Sequence, residues 1–224
     1  YVQPTGIDYE RFQSHDPQAS EALKQDLDLT DKKVLVSVSR LSSEKNIDFL
    51  LDAMVRLKTD RGDDFHLLII GEGDERQRLE ARIARLALQQ QVSLVGAVPP
   101  ERMADYYQLG DVFVFASKSE TQGMVVLEAM AAGLPVVALR SSGIEDVVRD
   151  GENGYKTPEN LSLWCERLST LLDDETRRSE FSKKARQLAR ENATEAFARK
   201  VNDIYAWVLA AKYQEAGPNG TDTD

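Results

Sequence analysis

Two stretches of this chain place charged and acceptor groups where an anion and its neighbouring hydroxyls can be held. Residues 39–46 (SRLSSEKN) carry Arg40 and Lys45 between an apolar run and an amphipathic one. A guanidinium grips phosphate oxygens in a fork and an ammonium acts as a point charge, so the pair suits a diphosphate. The same residues also read as solvated loop charges, one of them paired with Glu44. Residues 117–133 (SKSETQGMVVLEAMAAG) carry Glu120 and Glu128 around a helix that begins near Gly123. The first amides of that helix, those of Gly123, Met124 and Val125, are donors without intrahelical acceptors at a positive dipole end. Glycine at its start lets a ligand approach the backbone. Carboxylates offer several strong acceptor sites, so Glu120 and Glu128 suit sugar and ribose hydroxyls. Glu120 also reads as a cap or dipole partner of the helix. Glu128 interrupts an apolar run and, if buried, needs a partner.

Two further motifs are weaker. Residues 70–76 (IGEGDER) begin like a dinucleotide fingerprint with Gly71 and Gly73, but Arg76 stands where a third glycine is required. They read as a strand end, a turn and a helix start, which disfavours a nicotinamide dehydrogenase. Residues 96–107 (GAVPPERMADYY) put Val98 on a strand-exit loop, where exposed main chain can pair with a nucleobase. A proline-started helix with its aromatics turned inward is an equal reading.

These groups need a scaffold, and the hydrophobic pattern predicts one. Short apolar runs at 33–39, 65–71, 92–95, 111–116 and 135–139 read as strands buried on both faces. Amphipathic periods at 46–59 and 75–88, with shorter helices at 100–109 and 124–132, separate them. This alternation predicts an α/β fold: a doubly wound, Rossmann-like parallel sheet with helices on both faces and ligands at the carboxyl ends of its strands. After the turn at 151–154 a short extended piece (155–157) leads into helices at 160–173, 176–191 and 194–213, the last with an apolar stripe of Ala196, Phe197, Val201, Ile204, Val208 and Leu209. The expected organisation is a lead-in segment at 1–32, a Rossmann-like ligand-binding domain at 33–191, a C-terminal helix at 192–213 and a disordered tail at 214–224.

Composition bounds the partners. Hydrophobic residues make up 42% of the 224, enough for a core, and the formal net charge is −10. That balance argues against a nucleic-acid binder, which needs a basic face. The two histidines and single cysteine have no metal-ligand spacing, so no protein zinc site is expected. Cys165 reads as a small core side chain. No run of 18 apolar residues is present to span a bilayer.

Taken together, the segments resemble the C-terminal lobe of a retaining glycosyltransferase of the two-lobed GT-B architecture, of the large family 4 type. The likeness covers about 1–213 and rests on five colinear blocks: VQPTGIDYERF, SRLSSEKN, GAVPPERMADYYQLGDVFVFAS, ETQGMVVLEAMAAGLPVVA and SSGIEDVVRDGENGYKT. It implies that Arg40 and Lys45 neutralise a leaving nucleoside diphosphate. It implies that the amides of Gly123, Met124 and Val125 hold phosphate or sugar oxygens. Glu120 would then position the sugar ring, Glu128 bind the ribose hydroxyls and Val98 meet the base. Many members carry Pro-Phe-Gly after the first glutamate; here the residues are Thr121, Gln122 and Gly123, which resembles diacylglycerol glucosyltransferases and leans towards UDP-glucose and a glycolipid. The resemblance implies no metal and no cofactor beyond the nucleotide-sugar donor, no nucleic-acid partner, and a lipid or glycan acceptor bound by an absent N-terminal lobe. Any membrane contact would come through that lobe, and the location would be cytoplasmic or peripheral at the inner membrane face. A nucleotide-sugar epimerase of the same architecture and a non-catalytic nucleotide-sugar-binding module are the alternatives.

Overall fold

The computed structural model describes residues 6–13 and 17–215. Six strands form one sheet: β1 (Lys33–Val38), β2 (Phe65–Ile70), β3 (Val92–Gly96), β4 (Val112–Phe115), β5 (Val136–Leu139) and β6 (Gly154–Thr157). All neighbours pair in parallel, in the order β3-β2-β1-β4-β5-β6. The helices are α1 (Tyr9–Gln13), α2 (Pro17–Asp26), α3 (Ile47–Arg61), α4 (Arg76–Arg85), α5 (Met103–Gln108), α6 (Met124–Ala132), α7 (Leu161–Asp173), α8 (Glu175–Glu191) and α9 (Thr194–Glu215).

Strand residues alternate between two cores because successive side chains point to opposite faces. Leu35, Leu67, Ile69, Val114 and Val137 join one core with Leu51 and Met54 of α3, Leu79 of α4 and Trp164 of α7. Val34, Val36, Leu68, Phe113 and Ala138 join the other with Tyr107 of α5 and Leu127 and Met130 of α6. With both faces covered, all six residues of β2 are buried, which is why the run FHLLII shows no polar alternation. Cys165 lies in the first core, and burial pushes its thiol up to about 11.

The strand order places a reversal of winding between β1 and β4. From β1 the chain steps outward through β2 to β3, then returns to the other side of β1 for β4, β5 and β6. Such a reversal opens a crevice at the carboxyl ends of the two central strands. The loops leaving β1 and β4 are residues 39–46 and 117–123, the two stretches singled out for their chemistry.

Three features go beyond the sequence expectation. The segment before β1 carries α1 and α2, and Ile7, Phe12 and Leu29 are buried in the second core. The piece at 155–157 is part of an edge strand, with Tyr155 in register with Val137 of β5. The last helix runs to Glu215 rather than stopping at 213, so residues 214 and 215 of the expected tail are helical; 216–224 lie outside the described residues. On that helix Ala196, Phe197, Val201 and Ile204 are half-buried, whereas Val208 and Leu209 are exposed.

Candidate functional site

The two central loops are tied together. The Lys118 amide donates to the Glu44 carbonyl (2.9 Å), and Glu159, just before α7, accepts from Asn46 Nδ2 (3.2 Å) and pairs with Lys118 (2.8 Å). Within this frame Lys45 Nζ reaches Glu120 Oε2 at 3.4 Å and the Ser119 carbonyl at 3.5 Å. Both side chains of the pair are only 14% exposed, so their attraction is screened less than that of a surface pair.

Glu120 also folds onto its own loop. Its Oε1 accepts from the amides of Thr121 (3.1 Å), Gln122 (3.5 Å) and Gly123 (3.3 Å). Burial is the largest single influence and pushes its pKa up. The Gly123 amide, the Lys45 ammonium and the other two amides together outweigh it, holding the carboxyl below the usual range. A carboxylate with a depressed pKa adds stability above its unfolded pKa and loses it as pH falls through the folded one. Wild type is therefore expected to melt above Glu120→Gln at neutral pH, with the gap closing as pH drops below about 4.3, the ordinary glutamate value. Melting curves of both proteins across the acid range check this.

Helix α6 begins beside Glu120. Gly123, at φ 62°, takes the left-handed conformation that starts it. The Val126 and Leu127 amides both donate to the Gly123 carbonyl. The Met124 and Val125 amides have no protein acceptor among the described residues, leaving two donors at a positive helix end facing the crevice. Gly123 differs from the sequence expectation of three available amides, because Glu120 already occupies its N–H.

Glu128 lies about one turn further along α6. It is half-buried, and the Tyr107 hydroxyl donates to its Oε2 at 2.9 Å. Burial raises its pKa; Tyr107 and then Arg11 oppose that without cancelling it. Val98 is half-buried on the exit from β3, and neither its N–H nor its carbonyl pairs with backbone among the described residues.

Arg40 is not brought to this cluster. Its side chain is 77% exposed and pairs with Glu44 at 3.0 Å. The structure thus assembles Lys45, Glu120 and the start of α6, sets Glu128 behind them, and leaves Arg40 turned to solvent. Two contributors escaped the sequence reading. Tyr107 is the partner that a buried Glu128 demanded, and its only signal was that demand. Gly143 packs against the Glu120 carbonyl so closely that a Cβ there would fall under 3.0 Å from it. The neighbouring Ser142 hydroxyl donates to the same carbonyl at 3.4 Å.

An ammonium and helix amides without a protein acceptor among the described residues meet at the winding reversal of a Rossmann-like sheet, the position where open α/β sheets take their ligands. The family model of glycosyl transferases group 1 matches residues 19–188, and this chain belongs to that family. Sulfoquinovosyl transferase SQD2 of Arabidopsis thaliana is 31% identical over 206 residues, 90% of this chain and 39% of that protein. Alpha-monoglucosyldiacylglycerol synthase of Acholeplasma laidlawii is 29% identical over 205 residues, 90% of this chain and 51% of that one. The chain therefore spans about half, or less, of the length of these curated relatives. Anabaena HepE, solved with UDP and glucose, superposes with a TM-score of 0.82 at 23% identity over 92% of this chain and 56% of that one, a likeness of fold. No helix among the described residues is long and apolar enough to cross a membrane.

Proposed function

We propose that this chain is the donor-binding lobe of a hexosyltransferase that takes a UDP-hexose, UDP-glucose by preference, and transfers the hexose with retention to a lipid or glycan hydroxyl. The observation that carries the reading is Lys45 held at the winding reversal beside Glu120 and the open amides of α6. The diphosphate sits on the Lys45 ammonium and the Met124 and Val125 amides, with Arg40 swinging from Glu44 to join them. Glu120 positions the sugar through its hydroxyls, Glu128 takes the ribose, and the Val98 main chain meets the base. In transfer, the anomeric carbon–oxygen bond breaks with its electron pair on the diphosphate. The acceptor oxygen bonds that carbon, and its proton passes to the departing diphosphate. Lys45 and the helix amides stabilise the charge that develops on the leaving oxygens.

The relatives named for glycolipid synthesis favour a lipid acceptor, bound by a second lobe that this chain does not contain. The protein needs no metal, no further cofactor and no nucleic acid, and works in the cytoplasm, with any membrane contact made through that second lobe. Product analysis of the whole protein with UDP-glucose and diacylglycerol tests the reaction. An α-glucosylated lipid with release of UDP is the expected outcome. A free isomerised sugar, or no sugar transfer to lipid or glycan acceptors, overturns it.

A further inference from the structure

Tyr107 is fully buried, with its hydroxyl turned to Glu128. Its ring is clamped edge-on to Phe12 (centroids 5.6 Å apart) and tilted against Phe113 (6.1 Å). A ring so packed has little freedom to turn. Its hydroxyl donates to Glu128 Oε2 at 2.9 Å and lies 3.4 Å from the Val125 carbonyl. Helix α6 offers Glu128 no polar neighbour of its own, since the sequence around it is MVVLEAMAA. Arg11 on α1 is the remaining charge that acts on it. Glu128 Oε1 has no protein donor among the described residues.

We infer that Tyr107 is a positioning residue for the nucleotide: by holding Oε2 it presents Oε1 as the acceptor for the ribose hydroxyls, and so makes the site prefer ribose to 2′-deoxyribose. This rests on the donor-site reading above. Without the phenol, Glu128 swings freely or takes up a proton, and a protonated carboxyl is a poorer acceptor. The Tyr107 hydrogen bond also opposes the rise that burial imposes on the Glu128 pKa, so its loss moves the titration of Glu128 to higher pH.

The test titrates the protein with UDP-glucose and with its 2′-deoxy analogue in wild type, Tyr107→Phe and Glu128→Gln, from acid to neutral pH. The diphosphate diester of either probe does not titrate in that range, so the pH dependence belongs to the protein. Wild type is expected to prefer the ribose donor by about tenfold, the size of one hydrogen bond to a charged group. Tyr107→Phe should lose most of that preference, and the pH at which its affinity falls off should move up. Tyr107→3-fluorotyrosine, which keeps the ring and donates more strongly, should retain the preference and move that pH down; it also serves if the phenylalanine variant does not fold. If Glu128→Gln loses the preference while Tyr107→Phe keeps both the preference and the wild-type pH profile, the positioning role is wrong and the donor site stands. If wild type binds neither probe, the donor-site reading fails and takes this inference with it; if it binds both equally, the donor site stands and this inference alone fails.

Discussion

Lys45→Met is expected to weaken UDP-glucose binding about a hundredfold, read as the dissociation constant by calorimetry. The ammonium does two things at once. It neutralises Glu120, whose carboxylate otherwise faces an incoming diphosphate as a like charge, and it supplies a positive charge to the ligand. Truncating one partner of a buried, hydrogen-bonded charge pair costs about 2–5 kcal/mol. Lys45 would form such a pair with the ligand's diphosphate, but it is already shared with Glu120 at 3.4 Å, so the low end of that range applies. About 2.8 kcal/mol corresponds to a hundredfold. Arg40→Met should cost less, because Arg40 is mostly exposed and must leave Glu44 before it can reach a ligand. Equal losses in the two variants would mean that both cations hold the diphosphate alike and that the burial of Lys45 is incidental.

The second large effect is expected at a residue that touches no ligand. Gly143→Ala should lower the melting temperature by roughly 3–10 °C and weaken donor binding by at least tenfold. A methyl group there would press on the Glu120 carbonyl carbon and oxygen and the Thr121 amide. These are backbone atoms, so the contact is relieved only by moving the loop. That loop sets Glu120 against the amides of residues 121–123 and against Lys45, so a shift there disturbs the donor site as well as the packing. Overpacking of this kind costs about 1–3 kcal/mol. Melting curves and donor titration of the same preparation separate the two effects. An unchanged melting temperature and affinity would show that the 141–144 turn yields freely and does not hold Glu120 in place.

The sheet was legible in the sequence because burial on both faces leaves a simple signature. The runs KVLVSV and FHLLII are mostly apolar, and the loops after β1 and β4 stand out as polar breaks with charges at fixed distance from a strand end. Gly123 marked the start of α6 for the same local reason. Features that depend on tertiary register were not legible. Nothing near Glu128 in the chain names Tyr107, which arrives from a helix 21 residues away in sequence. The direction of Arg40 depends on an ion pair with Glu44 four residues on, which competes with the site for the same side chain. The Glu120 carboxylate proved to cap its own loop, one of the readings its position offered, and also to pair with Lys45, a partner that spacing did not suggest. Helices α1 and α2 lacked a strong apolar period, and their place in the core comes from a few anchors such as Ile7 and Phe12.

The central claim, a preformed donor site between the loops leaving β1 and β4, is tested most directly by calorimetric titration of this chain with UDP, UDP-glucose, GDP-mannose and ADP-glucose, repeated with Lys45→Met and Glu128→Ala. The account predicts binding of UDP and UDP-glucose in clear preference to the guanine and adenine donors, weakened in both variants. Binding that ignores the base, or that survives both substitutions unchanged, would contradict it.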